Sequence, residues 1–83
     1  MYSTAQIKKE VEAALPGSKA EVRDLTGGGD HFELVVISPA FEGKNPVERH
    51  RLVYASLGKA VGAEIHALSL KTLTPKEAGD HGR

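Results

Sequence analysis

The sequence contains no cysteine. The chain therefore forms no disulfide, attacks nothing as a thiolate and holds no cysteine-ligated metal by itself, so any thiolate chemistry has to come from a partner. An excess of one charge is lacking too: 11 Lys and Arg balance 11 Asp and Glu, for a formal net charge of zero with neutral histidine. The broad positive field that drives non-specific nucleic-acid binding is thus missing, which leaves room only for a local basic stripe. No run approaches membrane-spanning length, and Met1-Tyr2-Ser3-Thr4 leads into a charged amphipathic stretch rather than an apolar signal core. A cytoplasmic address is the expectation. The chain also has no G-x-x-x-x-G-K-S/T loop, no G-x-S-x-G elbow and no short-spaced zinc pattern such as H-E-x-x-H. With Glu33, Glu42, Glu48, Glu64 and Glu77 read as solvated or capping rather than paired catalytic carboxylates, the expectation is that the protein is not an enzyme.

What is present suits a single domain over residues 1–83 with little room for a deep cleft. Ser3 followed by Gln6 is a capping pattern, and Ile7, Val11, Ala14 and Leu15 recur at helical spacing before Pro16-Gly17. A first strand is expected over 20–25 and a second over Phe32–Ile37, joined as an antiparallel hairpin through the glycine-rich 26–30 segment. After a short turn at 40–43, Asn45, Pro46 and Glu48 supply an N-cap, a first-turn proline and a capping acid. They predict a long helix from Pro46 to Val61, closed by Gly62. A third strand is expected over Ile65–Leu73, then Thr74-Pro75-Lys76-Glu77 repeats the helix-start signals for a short turn, with a loose tail at 79–83. The sum is an α+β chain with one sheet packed on one layer of helices.

Gly27-Gly28-Gly29 precedes Asp30-His31 and the apolar second strand. A phosphate-binding loop needs its glycines to lead into a helix N-terminus, and these lead into a strand. Three in succession exceed what a tight turn needs and imply a mobile tip, a hinge carrying His31. Histidine is the natural functional candidate, since neutral imidazole binds borderline metals. Of the four, His50 shares a helical stripe with Val47, Val53, Tyr54, Leu57 and Val61, which favours a packed role, and His81 sits in the tail. His66 falls where the long helix hands over to the third strand, a rim position that leaves open both an ordinary histidine and a ligand.

Phe41-Glu42-Gly43-Lys44, Arg49-His50-Arg51-Leu52-Val53-Tyr54, Ile65-His66-Ala67-Leu68 and Lys71-Thr72-Leu73-Thr74-Pro75 stand in one order, with Asp30-His31-Phe32 opening the second strand. Together they resemble the BolA family over almost the whole chain. The resemblance implies a fold similar to the class II K-homology domain, helix-strand-strand-helix-strand with a three-stranded mixed sheet. It further implies a monothiol glutaredoxin partner and a shared [2Fe–2S] cluster, with His66 of the I-H-A-L block as a ligand. The hairpin loop supplies a second ligand in that family, a cysteine or a histidine. The loop-cysteine position falls here near Gly28, and His31, offset by a few residues, is the nearby substitute. A two-iron cluster accepts two histidines on one iron and thiolates on the other. The thiolates would then come from the glutaredoxin and from glutathione. Ala78 stands where the family often has a tryptophan, which bears on how the tail docks. A domain that docks a glutaredoxin without metal is a further possibility for a glycine-filled loop.

The alternative implied by the same family is DNA-binding regulation through the K-homology-like fold. Lys44, Arg49, Arg51, Lys59 and Lys71 are the candidate phosphate contacts. The K-homology clamp uses a G-x-x-G loop, whereas the matching turn here is Gly43-Lys44-Asn45-Pro46.

Overall fold

The computed structural model describes residues 3–62, 65 and 67–81, the last two by their backbone. Helix α1 covers Thr4–Ala14; the Ser3 hydroxyl caps it by accepting from the Gln6 N–H at 3.0 Å. Strand β1, Lys19–Asp24, pairs antiparallel with β2, His31–Ile37, in the register Lys19↔Ile37 to Asp24↔Phe32. β1 starts and stops one residue earlier than the sequence suggests, and Leu25, outside it, is exposed. The outward backbone of this edge strand is covered from α1: Glu12 accepts from the Ala20 N–H at 2.9 Å, and Lys8 donates to the Ala20 carbonyl at 2.8 Å.

Ser38 caps a 3₁₀ turn at Pro39–Phe41, and helix α2 follows over Pro46–Leu57. Its capping box is complete, with Asn45 Oδ1 accepting from the Glu48 N–H at 2.9 Å and Glu48 Oε1 from the Asn45 N–H at 3.1 Å. The helix ends at Gly58, earlier than the expected Val61, because Gly58 takes a positive φ of 58° and the chain tightens into a 3₁₀ turn over Gly58–Ala60. Gly62 serves the next turn instead, donating to the Ile65 carbonyl at 2.8 Å while the Ile65 N–H reaches the Ala60 carbonyl at 2.9 Å.

Strand β3, Ala67–Leu73, runs parallel to β2 from His31↔Ala67 to Ile37↔Leu73. The sheet order is β1-β2-β3, mixed as expected, and α2 lies in the crossover that a parallel pair requires. Helix α3 covers Pro75–His81, so residues 79–81 are helical rather than a loose tail, and 82 and 83 lie outside the described residues. No helix among the described residues is long and apolar enough to cross a membrane.

Alternation along β2 puts Phe32, Leu34 and Val36 on the helix side, fully covered. Ile7 and Val11 of α1, Val53 and Leu57 of α2, and Phe41, Ala60 and Ile65 from the connections close on them. Each large side chain buried this way contributes about 1.5–3 kcal/mol. The opposite sheet face carries the exposed Lys19, Glu21, Arg23, Ser69 and Lys71. The stripe expected on α2 divides: Val53 and Leu57 are core, whereas Val47 and Tyr54 are exposed and His50 stands half-buried, edge-on to Tyr54 at 6.5 Å. At 100° per residue these positions lie on the helix's flank, beyond the covered arc.

Candidate functional site

The rim where β1 ends and β2 and β3 begin brings together the residues of greatest chemical interest. Leu25 N–H donates to the His31 carbonyl at 2.8 Å, closing the hairpin around residues 26–30. Inside that loop the Asp24 carboxylate accepts from three backbone N–H groups: Thr26 at 3.2 Å, Gly27 at 2.8 Å and Gly29 at 2.9 Å. Gly27 and Gly29 have φ of 79° and 77°, the left-handed region in which side chains are strained. The glycines do form an anion cradle, and the anion is the chain's own aspartate. This corrects the hinge expected from the glycine run: the loop is braced from within by Asp24.

A second set of bonds continues to the histidine. Gly28 N–H donates to Thr26 Oγ1 at 3.1 Å, and the Thr26 hydroxyl donates to Asp30 Oδ1 at 3.0 Å. His31 Nδ1, turned inward, lies 3.1 Å from the same oxygen, an approach short in distance and bent in angle. His31 and then Thr26 hold the Asp30 carboxyl below the ordinary carboxylate range. The His31 side chain as a whole is 42% exposed, while its Nδ1 is buried beside Asp30.

Across the strand pair, His31 stands opposite Ala67, and the Ala67 N–H donates to the Asp30 carbonyl at 3.2 Å. His66, the anchoring ligand implied by the resemblance, lies outside the described residues. Its chain neighbour Ala67 is tied to the His31 rim by both the register and that hydrogen bond. Among the described residues no group of three or more His, Asp or Glu side chains converges as a metal site. A half-exposed imidazole with a carboxylate beside it is the arrangement found around metal-bound histidine.

The candidate phosphate contacts do not gather. Lys71 projects from the open sheet face, opposite the layer that holds α2, whereas Arg51 and Lys59 are exposed on the helix side and Lys44 sits in the turn before α2. Arg49 is engaged internally, with 13% of its side chain exposed. Its guanidinium donates to Glu77 at 2.8 and 3.4 Å, to the Thr72 carbonyl at 3.4 Å and to the Lys44 carbonyl at 2.9 Å, and stands 5.9 Å from the Phe41 ring centre. Glu77 in turn accepts from the Thr74 N–H at 2.9 Å, and its carboxyl is lowered to about 2, by Arg49 first and the Thr74 backbone second. Sequence reasoning missed both this lock and the Asp24 brace. The Asp24-x-Thr26-Gly27 order was a signal for the brace, since aspartate commonly bonds backbone two residues on. No spacing announces the lock, whose partners are far apart in the chain.

Residues 4–77 match the BolA family, the BolA-like proteins. The chain belongs to the BolA family. It is 46% identical to Protein BOLA2 of Arabidopsis thaliana over 93% of this chain and 84% of that protein. It is 38% identical to human BolA-like protein 1 over 88% of this chain but 58% of the relative, so it spans about six-tenths of the length of that longer protein. A solved BolA homologue from Coxiella burnetii superposes with a TM-score of 0.79 at 43% identity, covering 100% of both chains. The α+β architecture of this chain is thus that of the BolA fold.

Proposed function

We propose that this BolA-family chain is a non-enzymatic adaptor that docks a monothiol glutaredoxin and shares a [2Fe–2S] cluster with it, in iron-sulfur trafficking or iron regulation. The observation that carries the reading is the parallel register His31↔Ala67. His66, the ligand that the family resemblance implies, is the residue before Ala67 in the chain. Two imidazoles can serve one iron of such a cluster, and a chain without cysteine contributes nitrogen donors alone. The glutaredoxin cysteine and bound glutathione supply the thiolates. When bound, the cluster provides the iron and sulfide to be passed on or sensed; this chain's part is to present and orient its histidines.

Anaerobic co-purification with a monothiol glutaredoxin, followed by iron and sulfide analysis, tests the reading. A heterodimer carrying about two irons and two sulfides per complex is expected. Absence of any stable complex would refute it, and a complex without iron would leave a docking role with no shared metal.

A further inference from the structure

Asp30 is not among the residues that the family resemblance implies as ligands. It is nonetheless the acceptor at the end of an ordered relay running from the Gly28 N–H to the Thr26 hydroxyl and on to Asp30 Oδ1, with His31 Nδ1 at 3.1 Å from that oxygen. Direction is fixed along this relay. The Gly28 amide can only donate, so the Thr26 hydroxyl accepts there and donates onward, and an ionised carboxylate can only accept. A ring nitrogen facing that carboxylate is favoured as N–H rather than as a lone pair, even at a bent angle, because the alternative sets two electron-rich atoms against each other. We infer that Asp30 is a positioning residue that holds His31 as its Nδ1–H tautomer, making Nε2 the nitrogen whose lone pair is presented to iron. The inference deepens the ligand reading of His31 given above and rests on it for its functional meaning.

Gly28 supports the assignment from another direction. A Cβ at this position would stand 3.3 Å from Asp30 Oδ1, close enough to press on the carboxylate, and 3.4 Å from Thr26 Oγ1, in contact with the hydroxyl. The glycine that gives the loop no side-chain ligand is therefore also what leaves space for the carboxylate behind the histidine. In this chain the hairpin has a buttressed nitrogen donor in place of a donor on the loop itself. Metal-bound histidines are commonly oriented by a carboxylate at the other ring nitrogen, which fixes both the tautomer and the ring plane.

Long-range proton–nitrogen spectra of the chain alone, in buffer near pH 8.5 where imidazole is neutral, read the tautomer of each ring. His31→Gln identifies the His31 signals. The wild-type ring is expected as Nδ1–H. Asp30→Ala shifts the ratio towards Nε2–H by about fivefold, and Thr26→Val, which keeps the carboxylate but removes its hydroxyl donor, shifts it the same way by less. An Nε2–H ring in the wild type overturns the inference, and so does an unchanged tautomer in a folded Asp30→Ala variant. Should Asp30→Ala not fold, the wild-type and Thr26→Val spectra still decide. Because no glutaredoxin or cluster is present, a negative result here refutes the positioning role without touching the adaptor reading, and a failed co-purification leaves the tautomer result standing.

Discussion

The two ends of the sheet use the same device to opposite effect. At the end formed by Leu73, the 39–46 connection and the start of α3, one buried cation collects loose backbone: Arg49 binds the carbonyls of Lys44 and Thr72 and clasps Glu77. At the other end one anion does so, with Asp24 holding the amides of Thr26, Gly27 and Gly29. Arg49 is consumed by this work, 13% exposed and packed near Phe41, and its partner Glu77 is held by both the guanidinium and the Thr74 N–H. Asp24 instead braces the loop that leads into Asp30 and His31, whose side chains stand 40% and 42% exposed. A charge used as an internal brace stabilises; a charge that braces its neighbour's surroundings creates a site.

The contrast can be broken at either end. Arg49→Ala removes the clasp, exposes the Thr72 and Lys44 carbonyls to poorer partners and uncovers Phe41, and should cost about 2–3 kcal/mol in urea unfolding. Amide exchange should quicken in α3 and stay unchanged at Gly27 and Gly29. Asp24→Ala is the mirror experiment: a loss of about 1–2 kcal/mol, comparable to removing a helix cap, with faster exchange at Gly27 and Gly29 and none of the α3 effect. If both variants loosened both ends, the ends would be one cooperative unit and the division drawn here would fail.

Acid distinguishes the ends more gently. The Glu77 carboxyl is depressed in the folded chain, from an ordinary value near 4.5 to about 2, by Arg49 and the Thr74 amide. Its stabilising contribution is therefore complete above pH 4.5 and is lost as pH falls towards 2. Wild-type unfolding followed across that range should weaken progressively, with α3 the first to lose protection, and Glu77→Gln should flatten that part of the profile. The smallest effect is expected from His31→Ala, whose half-exposed ring adds less than about 0.5 kcal/mol to stability. A large loss there would mean that the rim histidine serves the fold rather than a ligand.

Much of the architecture could be read from the chain because its punctuation is local. Ser3, Asn45-Pro46 with Glu48, and Thr74-Pro75 with Glu77 each mark a helix start that the structure realises. The end of α2 was harder, since Gly58 and Gly62 both tolerate positive φ and the choice depends on burying Ala60 and bonding Ile65 to its carbonyl. The flank of α2 was misjudged for a related reason: Val47 and Tyr54 satisfy helical spacing, but the width of the covered arc is set by what packs against it. At the rim, His31 stood out by residue type. The brace that fixes it did not, because three glycines signal freedom until the acceptor that removes it is seen.

Visible circular dichroism of a mixture of this chain with a monothiol glutaredoxin reconstituted with cluster, wild type against His66→Ala, probes ligation by this chain most directly. A new spectrum that forms with the wild type and is lost with His66→Ala is what the shared-cluster account predicts. The same spectrum surviving the substitution would contradict it.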